Sequence, residues 1–172
     1  VDEAVIKTDF AGPPAELAAT LAAAKAAAVA ARYPDALVIG SDQVLVCDGV
    51  RFDKPGEQAA AHLARLSGRT HELNTAVSVF QGGREIWAHT GHARLTMRAL
   101  TPEFIDAYLA AEGAAVQGCA GAYRLEGVGA QLFEAVEGDY FTILGLPLLP
   151  LLGFLRGRGV SSPEFLAAPV AG

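Results

Sequence analysis

The fold turns on residues 36–47, ALVIGSDQVLVC. Two β-rich runs, LVIG and VLVC, flank Ser41-Asp42-Gln43. Branched apolar side chains suit a pleated, covered surface, so the stretch reads as a buried strand interrupted by polar residues. A carboxylate inside such a strand is costly unless it is paired, metal-bound or exchanging a proton. Asp42 is therefore the most informative residue. A plainer reading also fits the spacing: the strand ends at Gly40, and Asp42 is an exposed turn residue or helix cap.

Upstream lies AELAATLAAAKAAAVAARY, residues 15–33. Alanine is the best helix former, and Pro34 ends the run. Leu17, Leu21, Ala24 and Ala28 recur at helical spacing and predict the core-facing stripe. Lys25 falls on nearly the same face. Snorkelling to solvent is the ordinary explanation for such a lysine, and facing a phosphate is the sharper one. Residues 1–12 read as a short mixed segment ending in the turn Gly12-Pro13-Pro14.

Downstream, Asp48-Gly49 makes a turn and RFDKP returns. Pro55 biases Lys54 to extended geometry, so Asp53-Lys54-Pro55 is a candidate cation site. Residues 56–66 read as a second helix, ended by Gly68. THELNTAVSVF and REIWAHTGHARLTMRAL form a long hairpin joined through Gln81-Gly82-Gly83. Thr101 caps a helix that runs to about Ala111, with Pro102 in its first turn. Glu126 sits in RLEGVGA between two β-like runs, where Gly127 and Gly129 would let backbone approach a ligand; a tight turn or bulge is the plain alternative. QLFEAVEG is a strand, and Pro147 begins a short apolar helix. The tail from Ser161 reads as frayed.

No regular βαβ rhythm runs through the chain. The reading is one α/β (mixed α+β) domain over residues 1–160, with a long antiparallel hairpin. Charge and composition narrow the function. The net charge of −6, from 13 Lys+Arg against 19 Asp+Glu, argues against duplex nucleic acid as a partner. A small phosphorylated substrate remains open, since two or three placed cations suffice. The apolar stretch from Ile143 to Leu155 carries two prolines and is too short for a membrane span. No secretory signal opens the sequence. Two cysteines, Cys47 and Cys119, are too few for a disulfide scaffold and fit a reducing, cytoplasmic setting. His89 and His92 are three apart on a strand and point to opposite faces, so they cannot easily share a metal. His62 and His71 lack partner spacing, and neither Ser41 nor Cys119 has the context of a nucleophile.

Taken in order, VDE, the lysine in LAAAKAAAVA, ALVIGSDQVLV, DKP, LSGRTHELNTAV, LTMRALTPEFIDAYL, CAGAYRLEGVGAQLFEAVEGDY and ILGLPL resemble the Maf family of nucleotide pyrophosphatases. The resemblance implies an elongated mixed sheet with flanking helices and a cleft, similar to the inosine-triphosphatase group. It implies hydrolysis of a nucleoside triphosphate to the monophosphate and pyrophosphate with a divalent cation, Mg or Mn. Position by position, Asp42 matches the proton acceptor, with metal binding as its other role, shared with Glu3. Glu3, Lys25 and Lys54 match charged residues of the triphosphate cleft. Gln43, Glu126 and the adjoining Gly127 match the substrate-reading positions. Asp42-Gln43 with Glu126 is similar to the branch that acts on 7-methyl-GTP, whereas the dTTP/UTP branch usually carries Asp-Thr and a glutamine. Other modified nucleotides, or a nucleotide-binding regulator without catalysis, are the alternatives. Family members are often dimers, so a homodimer is an expectation of the same kind. The family also opens with a strand and a Ser-x-Ser-Pro-Arg-Arg loop, which this sequence does not contain. The expectation is that a sheet edge and part of the phosphate grip are missing.

Overall fold

A computed structural model describes residues 1–160, so the expectation for the tail lies outside the described residues. Strand β1 (Val38–Cys47) runs unbroken through Asp42. Ser41, Asp42 and Gln43 keep their pairing with Val77, Ala76 and Thr75 of β3 (Thr70–Gln81). The interruption expected at these polar residues is thus absent, because backbone pairing does not depend on side-chain polarity. β3 turns at Gly82-Gly83 into β4 (Arg84–Met97), forming the expected long hairpin. β2 (Val50–Phe52) and β5 (Phe133–Glu137) complete a five-stranded sheet in the order β2-β1-β3-β4-β5. The mixed α/β class stands. Within it, each described pairing is antiparallel, where a mixed sheet was expected, because hairpins and antiparallel returns make each of these connections.

Alternation along β1 and β3 sorts the molecule into layers. On one face Val44 and Ala76 meet Leu17, Leu21 and Ala22 of α2 (Pro14–Ala30), and Val38 and Phe80 meet Ala26 and Ala30. The stripe therefore runs through Ala22, Ala26 and Ala30; Ala28, expected in it, is exposed. Leu17 and Leu21 mark the buried face in the first half of α2, but the nearly all-alanine second half gives little hydropathy contrast. Gly40 sets the face there instead. A methyl group there would lie 2.4 Å from the Ala22 carbonyl oxygen and 2.7 Å from the Ala26 nitrogen. Small residues on both sides bring α2 close against β1.

The other face carries the larger core. Leu45, Leu73, Leu95 and Met97 pack with Leu63 and Leu66 of α3 (Ala59–Leu66) and Ile105 and Tyr108 of α4 (Pro102–Glu112). Thr101 caps α4 as expected, accepting a bond from the Phe104 nitrogen. The helix expected over 56–66 divides into a 3₁₀ turn at Gly56–Gln58 and α3. Farther along the same face, Val77 and Val79 meet Leu151 of α6 (Leu148–Gly157). Between them sits α5 (Tyr140–Ile143), a single turn capped by Asp139. Two helices were not anticipated, α5 and α1 (Glu3–Asp9). α1 buries no residue fully and has no apolar periodicity to announce it; Asp2 caps it by accepting from Val5.

Candidate active site

β2 pairs only with Leu45, Val46 and Cys47, so it leaves the adjoining edge of β1 open beside Asp42 and Gln43. A cleft of about 270 Å³ lies there. Its walls come from α1, β1, the Asp53-Lys54 loop, residues 118–126 and the end of α5. Because the cleft meets the strand at its edge, Asp42 and Gln43 both line it although they point to opposite sheet faces.

Asp42 shares the α2 face with Gly40. The close packing at Gly40 delivers Lys25 to Asp42, and the two form an ion pair. Lys25 Nζ also lies 3.0 Å from Glu3 Oε1 on α1. This partly exposed lysine bridges the two carboxylates. Burial disfavours its charge, but the bonds to Asp42 and Glu3 outweigh that and raise its pKa above the usual lysine value. The Lys25 hydrogen bond in turn holds the Glu3 carboxyl below its ordinary range. Asp42, with a side chain only 11% exposed, thus has its charge matched inside the fold.

Lys54 also lines the cleft, exposed on the loop after β2. The Gly56 nitrogen donates to the Gln117 carbonyl at 3.1 Å, tying this loop to the segment that carries Cys119. Lys7, which the sequence did not single out, lines the cleft between Glu3 (3.7 Å) and Asp53 (2.8 Å). Asp42, Lys25, Glu3, Lys7 and Asp53 therefore form a chain of alternating charge along one side.

Gln43 is fixed from below. Its side-chain nitrogen donates to Thr75 Oγ1 at 2.8 Å and to the Thr142 and Ile143 carbonyls at 3.1 Å each. Two carbonyl acceptors determine which end of the amide faces them. Oε1 remains without a bond among the described residues, so Gln43 presents an acceptor. Glu126 lines the cleft, exposed on a turn closed by Gly127 N donating to Arg124 O, and not between two strands as the β-like runs suggested. Gly127 does not line the cleft. Its missing side chain makes room for Glu112, whose Oε1 would be 3.1 Å from a methyl group there. Cys119 gives its thiol to the Ala115 carbonyl at 3.6 Å, and burial raises its pKa, so it remains a thiol and not a nucleophile.

Glu3 and Asp42 supply hard oxygen donors of the kind Mg²⁺ and Mn²⁺ take. Among the described residues no three His, Cys, Asp or Glu side chains gather into a metal-holding group. Two carboxylates and an open cleft fit a cation that completes its shell with water and substrate phosphate, not one enclosed by protein.

The sequence matches the Maf-like protein family over residues 1–158. The chain belongs to that family. It is 52% identical over 168 residues to the nucleoside triphosphate pyrophosphatase of Paramagnetospirillum magneticum, covering 95% of this chain and 87% of the relative. It is 50% identical over 161 residues to the protein of the same name from Granulibacter bethesdensis, covering 91% and 82%. It is 53% identical over 148 residues to the 7-methyl-GTP pyrophosphatase of Rhizobium etli, covering 85% and 74%. No helix among the described residues of this Maf-like chain is long and apolar enough to cross a membrane.

Proposed function

We propose that this chain hydrolyses 7-methyl-GTP to 7-methyl-GMP and pyrophosphate. The broader activity, nucleoside triphosphate pyrophosphatase, rests on membership of the Maf-like family and on relatives about half identical that carry that name. The observation that carries the choice of base is Glu126, an exposed carboxylate on the wall of the cleft. N7-methylated guanine bears positive charge, and its N1–H and N2–H are donors; a carboxylate favours both features. Gln43 Oε1 offers a second acceptor to the same edge. Relatives named 7-methyl-GTP pyrophosphatase support the reading.

The triphosphate lies toward Lys54 and Lys7, whose ammonium groups offset the charge on its oxygens. Asp42 takes the proton of the attacking water. The new phosphorus–oxygen bond forms on the side opposite the leaving pyrophosphate, whose bond to the same phosphorus breaks. Lys25 holds Asp42 in position and keeps Glu3 beside it. Glu3 and Asp42 are the residues that would hold a divalent cation, which when bound would draw charge from the phosphate oxygens.

The test is a panel of 7-methyl-GTP, GTP, dTTP and UTP with product resolution. The expected result is a kcat/KM about tenfold or more higher for 7-methyl-GTP than for GTP. A preference for dTTP or UTP would assign the chain to the other specificity and overturn the proposal.

A further inference from the structure

Glu112 is the one acidic side chain buried almost completely among the described residues, with 2% of it exposed, and nothing in the proposed chemistry uses it. It stands at the last turn of α4. Arg124 donates to its Oε2 twice, from Nε at 3.1 Å and Nη2 at 2.8 Å. Its Oε1 accepts from the Val128 backbone nitrogen at 3.1 Å. The loop from Arg124 to Val128 is thus wrapped around one carboxylate. Two glycines allow it. A methyl at Gly127 would press on Glu112 Oε1, and one at Gly129 would stand 2.3 Å from the Arg124 carbonyl oxygen. The residue at the crest of this loop is Glu126. The same helix holds the loop's root, since Tyr108 donates to the Ala122 carbonyl at 3.2 Å.

A buried carboxylate with every oxygen engaged is expensive to place and strongly destabilising to leave half paired. Such a group holds a loop in one geometry. We propose that Glu112 is a positioning residue for substrate selection: through Arg124 and Val128 it fixes the loop that aims Glu126 into the cleft. The inference rests on the reading that Glu126 meets the base. It goes further in placing control of selectivity on a residue that faces no substrate.

The experiment uses the full chain and two variants. Glu112→Gln keeps the shape and removes the charge that grips Arg124. Glu112→Gln combined with Arg124→Gln removes both charges, so a folded protein remains available if the single variant fails. Three readouts are taken: thermal unfolding, exchange of the Val128 amide proton, and kcat/KM over the four-nucleotide panel. Val128 exchange is expected to accelerate. The ratio of kcat/KM for the preferred over the disfavoured nucleotide is expected to fall about tenfold, since a displacement of about 1 Å can cost more than that. Turnover of the disfavoured nucleotide should stay within about twofold of the parent. An unchanged ratio in either folded variant, unaltered Val128 exchange, or an equal loss on every nucleotide would overturn the inference. The parent's own panel scores the 7-methyl-GTP reading separately. If the parent prefers another nucleotide, that reading falls, and the ratio for the nucleotide it does prefer still scores Glu112.

Discussion

Asp42 shows how one side chain acquires a role from its surroundings. It sits in the middle of β1, where pairing to β3 is continuous and the side chain is almost covered. Lys25 and the open edge of the strand make that placement affordable: one matches the charge, the other admits a ligand. Replacing Asp42 with Ala should leave Lys25 paired to Glu3 and the strand pairing intact. Pyrophosphate release should then fall by about 10²–10⁴-fold, the range for loss of a proton acceptor, with an unchanged far-ultraviolet circular dichroism spectrum. Near-parental turnover by the folded variant would remove Asp42 from the reaction. Lys7 shows the opposite case. Its place in the charged chain depends on α1 folding over the cleft, which no local pattern announces, so the sequence alone did not mark it.

At the scale of elements, the contact between α2 and β1 does most to build the site. Gly40 lets Ala22 and Ala26 lie directly on the strand, and Lys25 rides in beside them. Gly40→Ala would set a methyl group against helix backbone, which cannot swing aside as a side chain would. We expect a loss of about 1–3 kcal/mol in urea unfolding, together with weakened turnover as Lys25 moves away from Asp42. Full stability in this variant would show that the helix shifts without cost. The strands and helices with strong periodicity or explicit punctuation were legible from the sequence: the hairpin through Gly82-Gly83, and α4 with Thr101 and Pro102. What was not legible lacked local contrast. The second half of α2 is nearly all alanine, α1 is short with no fully buried residue, and α5 is one turn defined by contacts from Gln43 and Thr75. The site divides in the same way. Glu3, Asp42, Gln43, Lys54 and Glu126 line one cleft and Lys25 lies against it, while Gly127 turned to Glu112, a partner whose identity only the folded chain supplies.

For the molecule as a whole, the larger core also sets a pH limit. His71 is fully buried, with Nε2 2.8 Å from the Tyr123 hydroxyl and Nδ1 lacking a partner. Burial lowers its pKa to about 4. Above about pH 6.5 the histidine is neutral whether the chain is folded or not, and it adds no pH dependence. As pH falls from about 6.5 toward 4, the unfolded chain takes up a proton that the folded one refuses. Stability therefore falls across that window, by about 3 kcal/mol from this residue, and levels below it. His71→Gln should flatten this part of a stability–pH curve measured by urea unfolding; an unchanged slope would assign it to other groups. Tyr123, the partner of His71, also lines the cleft, so one residue touches both the core and the site.

The acidic balance of the chain has a definite form at this scale. Three of its carboxylates, on Glu3, Asp42 and Asp53, are matched by Lys25 and Lys7 along one side of the cleft. Glu126 lines the same cleft outside that chain of ion pairs. Glu126 is proposed to select a positively charged base. The most direct measurement is kcat/KM for 7-methyl-GTP and GTP, with the parent chain and Glu126→Gln side by side. The account predicts that the parent favours 7-methyl-GTP and that the variant loses most of that preference while still releasing pyrophosphate from GTP. A parent with no preference for the methylated nucleotide, or a variant that keeps the preference in full, would contradict it.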